Sequence, residues 1–411
     1  MTTANATAFT RLTTAEPVLV DVRPAGEVVP GMTPQTILTS GAPLPWEAYR
    51  GGQRRAILHA AVYEELAADP EEAEAAIRAG WIPIGACHEH GCVGSVAGIY
   101  TASMPVLVVE SARHGNRGFC NLYEGESRKR LNYGVFDEEV RRGLDYLGGS
   151  LGPLLGAAVR RAGGIPLVPI IRRALHMGDE LHSRNTAATL LFSRELFPAL
   201  LELAGDGWDD EVRDALGFLR DADYFFLRLS MAAAKTMADA AHGVAGSSMV
   251  TAMTISCREY AIRVSGLGDR WFRGPLPTVE AKLFEGFTED DIEWIGGESH
   301  ITETVGLGGF AQAAAFGLQA YQGGGPEAMV ANNLAMYDIT LGEHPDFKIP
   351  YLGFRGSPTG IDVRRVVATG VVPVIDGGLA GKDGGQIGAG VLKAPLACFI
   401  DAARALGPAA G

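Results

Sequence analysis

A chain of 411 residues with 47% hydrophobic and 20% charged residues is ordinary globular material of two to three domains' length, and its 54 glycines follow no collagen-like period. Its net charge of −13, from 48 acids against 35 bases, argues against nucleic acid and membrane-surface partners, both of which need clustered cations. Five cysteines in a long chain do not suggest a disulfide framework; with a polar start and no apolar run of about 18 residues, a cytoplasmic protein is expected.

In chain order, Pro17–Val22 (PVLVDV) reads as a buried strand. Gly52–Ala68 has apolar residues near helical spacing, and Pro70 opens an acidic helix over Glu71–Arg78. Trp81–Ile84 and Pro105–Val109 read as strands. From Phe136 to Gly243 the pattern is helical, with candidates at 136–147, 151–162, 166–175, 186–203, 211–220 and 224–241, punctuated by Gly, Pro or Asp. Strands return at Ser248–Thr254, Tyr260–Val264 and Val371–Ile375, mixed with helical patterns at 309–321, 327–341, 361–369 and 391–405. The expected fold class is α/β (α+β). Two mixed segments, 1–135 and 246–411, flank a central all-helical domain over 136–245.

Four clusters carry candidate chemistry. Cys87-His88-Glu89-His90-Gly91-Cys92 follows a predicted strand. It could hold a divalent metal through His and Cys, bind an anionic or amide substrate through His88 and His90, or be a polar loop. His176-Met177-Gly178-Asp179-Glu180-Leu181-His182-Ser183-Arg184-Asn185 is a dense polar run between apolar helices. Carboxylate–imidazole pairs there suit acid–base work, although Asn185 could simply cap the next helix. Glu298-Ser299-His300-Ile301-Thr302-Glu303-Thr304 precedes a glycine turn at Gly306–Gly309. That turn feeds a predicted helix whose free N–H groups could hold an anion or an oxyanion. Gly377–Gly385 looks like a phosphate loop but lacks the GxxxxGK[ST] spacing. Its Lys382 could still neutralise an anion. Asn116, Arg355, Thr359 and Asp362 lie beside glycines and complete the candidates.

Taken together these phrases resemble the YlbE-like family. The likeness runs from about Val18 to Phe399 and includes Pro30-Gly31-Met32, Cys87-His88-Glu89-His90, His114-Gly115-Asn116, His176–His182 with Arg184-Asn185, Ile301–Thr304, Phe354-Arg355-Gly356 and Pro358–Asp362. The resemblance implies two α/β segments with a helical domain between them. It also implies kinship with a subunit of bacterial oxamate carbamoyltransferase, an enzyme of allantoin breakdown that interconverts oxalurate and phosphate with oxamate and carbamoyl phosphate beside an FdrA-like partner subunit. Departures from the family pattern fall at Tyr123-Glu124-Gly125, Ile255-Ser256, Ile295–His300 and Gly377–Gly381, and imply an altered pocket.

The expected activity is carbamoyl or acyl transfer on a small anionic amide, with phosphate, in an oligomer. His88, Glu89, His90, His176, Asp179, Glu180 and His182 are the candidate proton-handling groups. Asn116, Arg184, Asn185, Ser299, Thr302, Glu303, Arg355, Thr359, Asp362 and Lys382 are the candidate substrate ligands. A stand-alone metal-dependent amidohydrolase and a non-catalytic subunit are the alternatives.

Overall fold

The PVLVVES run is apolar at five consecutive positions, which suits a strand covered on both faces. In the computed structural model, which describes residues 1–408, it forms the strand Pro105–Ser111. Pro17–Pro24 pairs with it antiparallel. Both lie in a five-stranded sheet ordered Cys92–Val93, Arg117–Asn121, Pro105–Ser111, Pro17–Pro24, Ile165–Pro166.

Helix Phe225–Ala240 packs on the strands Pro105–Ser111 and Arg117–Asn121. Its sequence, FFLRLSMAAAKTMADA, is apolar on nearly every side, and every residue from Phe225 to Ala238 is buried, as expected of a helix in the middle of a core. Close approach to the sheet needs Gly118. A Cβ there would lie 2.6 Å from Thr236 Oγ1 and 2.8 Å from Ala232 O.

The helices expected between 136 and 245 form as Glu138–Tyr146, Gly152–Arg161, Leu167–His176, Thr186–Gly205, Asp209–Asp221 and Phe225–Ala240. The segment is not all-helical, however. Gly163 and Gly164 take positive φ, and the chain then runs extended so that Ile165–Pro166 joins the edge of Pro17–Pro24. These helices share one hydrophobic core with the N-terminal sheet.

The last third is mixed α/β, as expected. It holds a four-stranded antiparallel sheet ordered Thr278–Leu283, Gln386–Lys393, Val374–Gly381, Ile292–Glu293, and a three-stranded one of Val250–Ile255, Tyr260–Val264 and Phe272–Gly274. A hairpin of Thr340–Ile349 and Arg355–Ile361 completes it. The glycine-rich 377–385 stretch is no phosphate loop but the arm and turn of the hairpin joining Val374–Gly381 to Gln386–Lys393. The helix expected over 391–405 starts only at Leu396, after Pro395, because residues 386–393 are strand. The helix expected over 309–321 is broken into the short turns Gly308–Phe310, Gln312–Ala314 and Phe316–Leu318, then Gln319–Gln322. Side chains replace the helical ladder there: Ala313 N–H donates to Asn333 Oδ1 at 3.1 Å, and Asn333 Nδ2 to Phe310 O at 3.0 Å. An N-terminal helix, Thr3–Thr13, escaped the periodicity because its polar threonines mask the apolar face of Ala8 and Leu12. Among the described residues no helix is long and apolar enough to cross a membrane.

Candidate functional site

After helix Leu167–His176 the chain enters a loop folded around two buried carboxylates. Glu180 accepts the backbone N–H groups of His182 at 3.2 Å, Ser183 at 2.5 Å and Arg184 at 3.0 Å. Asp179 Oδ2 accepts the N–H of Ala188 at 2.8 Å, in the first turn of helix Thr186–Gly205. Asn185 closes the loop by donating from Nδ2 to His182 O at 2.8 Å.

A second segment, Glu298-Ser299-His300 leading into the short helix Ile301–Thr304, meets the first. Glu303 Oε1 lies 2.8 Å from His182 Nδ1 and also accepts the N–H of Gly309 at 3.0 Å and of Asp376 at 3.2 Å. The Thr302 hydroxyl lies 2.9 Å from Glu303 Oε2. Since a carboxylate only accepts, Nδ1 carries the imidazole proton. Nε2 of the neutral ring is then the acceptor, and the Ser299 hydroxyl donates to it at 2.8 Å. The result is a hydroxyl–imidazole–carboxylate chain, Ser299–His182–Glu303. Gly308 makes room for it: its φ is +58°, and a Cβ there would lie 2.2 Å from Glu303 Oε1.

Burial opposes charging the His182 ring, but the carboxylates of Glu303 and Asp376 outweigh burial and raise its pKa above the ordinary imidazole value. Burial, reinforced by Glu303, pushes Asp376 up to about 6. Burial, with the neighbouring His182, lowers His300 to about 3. Asp376 Oδ1 accepts from Gln312 Nε2 at 2.5 Å and Gln322 Nε2 at 3.1 Å, while its buried Oδ2 has no partner.

Ser299, His182 and Asp376 line a cleft of about 1140 Å³, measured out to its open mouth. Two arginines line it with them. Arg228, only 4% exposed, donates from Nη1 to Asn121 Oδ1 at 2.9 Å and leaves Nε without a partner. Arg130 is held over the rings of Tyr123 and Tyr133, 5.0 and 5.6 Å from their centroids. Tyr123, Ile255, Ile295 and Gly377, one from each of the four stretches expected to depart from the family pattern, are among the residues that line it.

The remaining candidates are placed elsewhere. His88 is buried and outside the cleft lining, its Nε2 3.9 Å from Glu298 Oε1. Glu298 in turn accepts from Gly41 N–H, Gly94 N–H and the Thr254 hydroxyl at 3.1, 2.9 and 3.1 Å, and burial pushes it up to about 8. The two histidine-bearing segments therefore meet neighbouring residues, His88 at Glu298 and His182 at Ser299. Glu89 pairs with Arg263 and accepts the Trp271 indole N–H at 2.8 Å; His90 Nδ1 sits 2.7 Å from Pro30 O. Cys87 and Cys92 turn their thiols to backbone carbonyls. Among the described residues no group of three or more His, Cys, Asp or Glu side chains is arranged to hold a metal.

His176 is exposed and edge-on to Phe354, 5.5 Å between centroids. Arg184 donates from Nε to Gly178 O at 3.0 Å. Asn116 holds Thr236 O at 2.8 Å, Thr359 packs under Val305 O at 3.3 Å, and Asp362 caps helix Val363–Thr369. Arg355 is exposed, paired with Glu343 at 2.8 Å and stacked over Tyr337. Lys382 is exposed in its hairpin turn. The glycine turn offers no anion pocket, because the N–H groups of Gly306, Gly308 and Gly309 bond to Glu303 O, Glu180 O and Glu303 Oε1. Arg130, Arg228 and Asp376 were missed in the sequence. The usable signals were a lone arginine in an apolar helix and an aspartate ending the apolar run VVPVI.

A family model described as oxamate carbamoyltransferase subunit AllG matches residues 82–299. The oxamate carbamoyltransferase subunit AllG of Escherichia coli is 39% identical over 99% of this chain and 98% of its own. The uncharacterized protein YahG of the same organism is 41% identical over 96% of this chain and 84% of its own. A crystal structure of a conserved protein of unknown function from Enterococcus faecalis superposes with a TM-score of 0.94 at 38% identity, covering 99% of this chain and 98% of that one.

Proposed function

The chain belongs to the family of oxamate carbamoyltransferase subunits typified by AllG, and from that membership we propose that it is the subunit that handles the carbamoyl group. Its substrate would be a small ureido or amide carboxylate such as oxalurate, with phosphate as the second reactant. One observation carries the proposal: Ser299, His182 and Glu303 form a single proton-relay chain beside a cleft that Arg130 and Arg228 also line.

The reaction breaks the bond between a carbamoyl carbon and an amide nitrogen, and that nitrogen must gain a proton as it leaves. In this reading His182 passes to it the proton that Nε2 takes from the Ser299 hydroxyl. Guanidinium groups suit carboxylate and phosphate because their N–H donors match paired oxygens. The free Oδ2 of Asp376 can accept an N–H from the amide end. The AllG relative is named as a subunit, so the complete activity is expected with partner subunits, an FdrA-like protein among them. Phosphorolysis of oxalurate and related ureido acids, assayed with and without such partners, tests this. Carbamoyl phosphate formation that falls about 10²–10⁴-fold in His182→Asn is expected. Its absence with every substrate and pairing overturns the assignment.

A further inference from the structure

Ser299 is the member of the chain that faces the cleft while its two supports are covered. Its side chain is half-buried, whereas the His182 and Glu303 side chains are 4% and 0% exposed. Its flanks are fixed. Glu298 ties the preceding position to Gly41, Gly94 and Thr254, Ser299 O accepts the Thr302 hydroxyl at 2.8 Å, and His300 stacks on Tyr260. Among the described residues the N–H of His300, which precedes helix Ile301–Thr304, makes no turn or loop bond to a backbone carbonyl, and the N–H following a nucleophilic serine is a place where acyl-transfer sites keep an oxyanion donor. A hydroxyl bonded to an imidazole that a carboxylate orients is the arrangement that activates serine.

We propose that Ser299 is a covalent nucleophile and that transfer proceeds through a carbamoyl ester on its Oγ. Oγ bonds to the carbamoyl carbon as its proton passes to His182 Nε2. The bond from that carbon to the amide nitrogen breaks, and the nitrogen takes the proton from His182. A phosphate oxygen then attacks the same carbon and Oγ leaves, the proton of the attacking phosphate O–H passing through His182 Nε2 to Oγ and restoring the hydroxyl. The sum is ureido acid plus phosphate giving amide plus carbamoyl phosphate, with no other reactant. This mechanism rests on the proposed function for its natural donor, but the reactivity of Ser299 does not.

The test uses the full chain and 4-nitrophenyl N,N-dimethylcarbamate, which cannot decompose to an isocyanate. One equivalent of 4-nitrophenol should be released in a burst. Intact mass should rise by one dimethylcarbamoyl group, and peptide mapping should place that group on Ser299. Labelling should vanish in Ser299→Ala and slow by at least about 100-fold in His182→Asn. Unlabelled wild-type protein, a label on another residue, or undiminished labelling of Ser299→Ala overturns the proposal, and the wild-type peptide map decides even if the alanine variant misfolds. Label on Ser299 without carbamoyl phosphate from any ureido acid keeps the nucleophile and removes the substrate assignment. Carbamoyl phosphate formed equally fast by Ser299→Ala keeps the transferase and removes the nucleophile.

Discussion

Glu303 is the residue that sets the hydrogen bonding and charge of the His182 ring. It fixes the tautomer through Nδ1 and helps raise the pKa of the ring. Below that pKa the ring is charged and cannot accept the Ser299 proton, so activity should rise as pH climbs through it. Glu303→Gln removes the negative charge, and the pKa of His182 should fall. The acid limb of the pH–rate profile should then move to lower pH, with a plateau reduced about 10²-fold or more because the ring is less well oriented. Asp376→Asn should move the same limb in the same direction and raise KM for the amide substrate, while both glutamine contacts to Oδ1 survive. An acid limb that stays in place in both variants would show that His182 is not the titrating group. Partners such as these leave little trace in a sequence. Ser299 and His182 are 117 positions apart, and no period or spacing links them. The density of ionisable groups at 176–185 pointed to His182, but the same density put exposed His176 on an equal footing.

One scale up, the loop between Leu167–His176 and Thr186–Gly205 is built inside out. Its polar side chains do not reach for solvent but hold the loop's own backbone, and Glu180 alone serves three N–H groups. Its burial and the nearby Asp376 push its pKa well above the ordinary carboxylate value, and the three N–H bonds it accepts make it a support for the backbone that carries His182. Glu180→Gln puts an NH₂ where an acceptor is needed and leaves at least one buried N–H unpaired, at a cost of about 1–3 kcal/mol. Denaturant unfolding should show that loss, accompanied by a fall in kcat. Full kcat with unchanged stability would mean that the loop is held in place by other contacts. Elements with strong periodicity were legible, down to Tyr260–Val264, whose bounds match the expectation. The 309–321 stretch was not, because alanine-rich sequence reads as helix until buried Gln312 and Asn333 divert its backbone. The glycines of 377–381 likewise read as a loop, although Gly377 and Gly378 pair across to Gly390 and Ala389.

For the whole molecule, two sets of buried titrating groups pull stability in opposite directions with pH. Burial holds His88, His300 and His344 neutral, with His300 and His344 lowered to about 3 from the ordinary 6.5. The unfolded chain charges these rings first, so the stability they contribute is complete above pH 6.5 and is lost as pH falls from there toward 3. Burial raises Glu298 to about 8 from 4.5, and Asp179 and Asp376 to about 6 from 3.8. Here the unfolded chain loses its protons first, so their contribution is complete below about pH 4 and is lost as pH rises through 6 and then 8. Opposed windows of this kind predict a stability maximum in the weakly acidic range. Mixed α/β character was readable from alternating strand and helix patterns. That His88 and His182 would reach the neighbouring residues Glu298 and Ser299 was not, since the contact joins three remote stretches of chain. Glu298 separates the two limbs experimentally. Glu298→Gln should lower stability near pH 5 by about 1–3 kcal/mol, because its amide cannot accept from both Gly41 and Gly94. The same variant has no carboxyl left to ionise, so its stability should decline less between pH 5 and 8 than that of the parent protein. Thermal melts of both across that range decide the matter: parallel curves would place the alkaline loss elsewhere, and converging curves would assign it to the carboxyl beside Ser299.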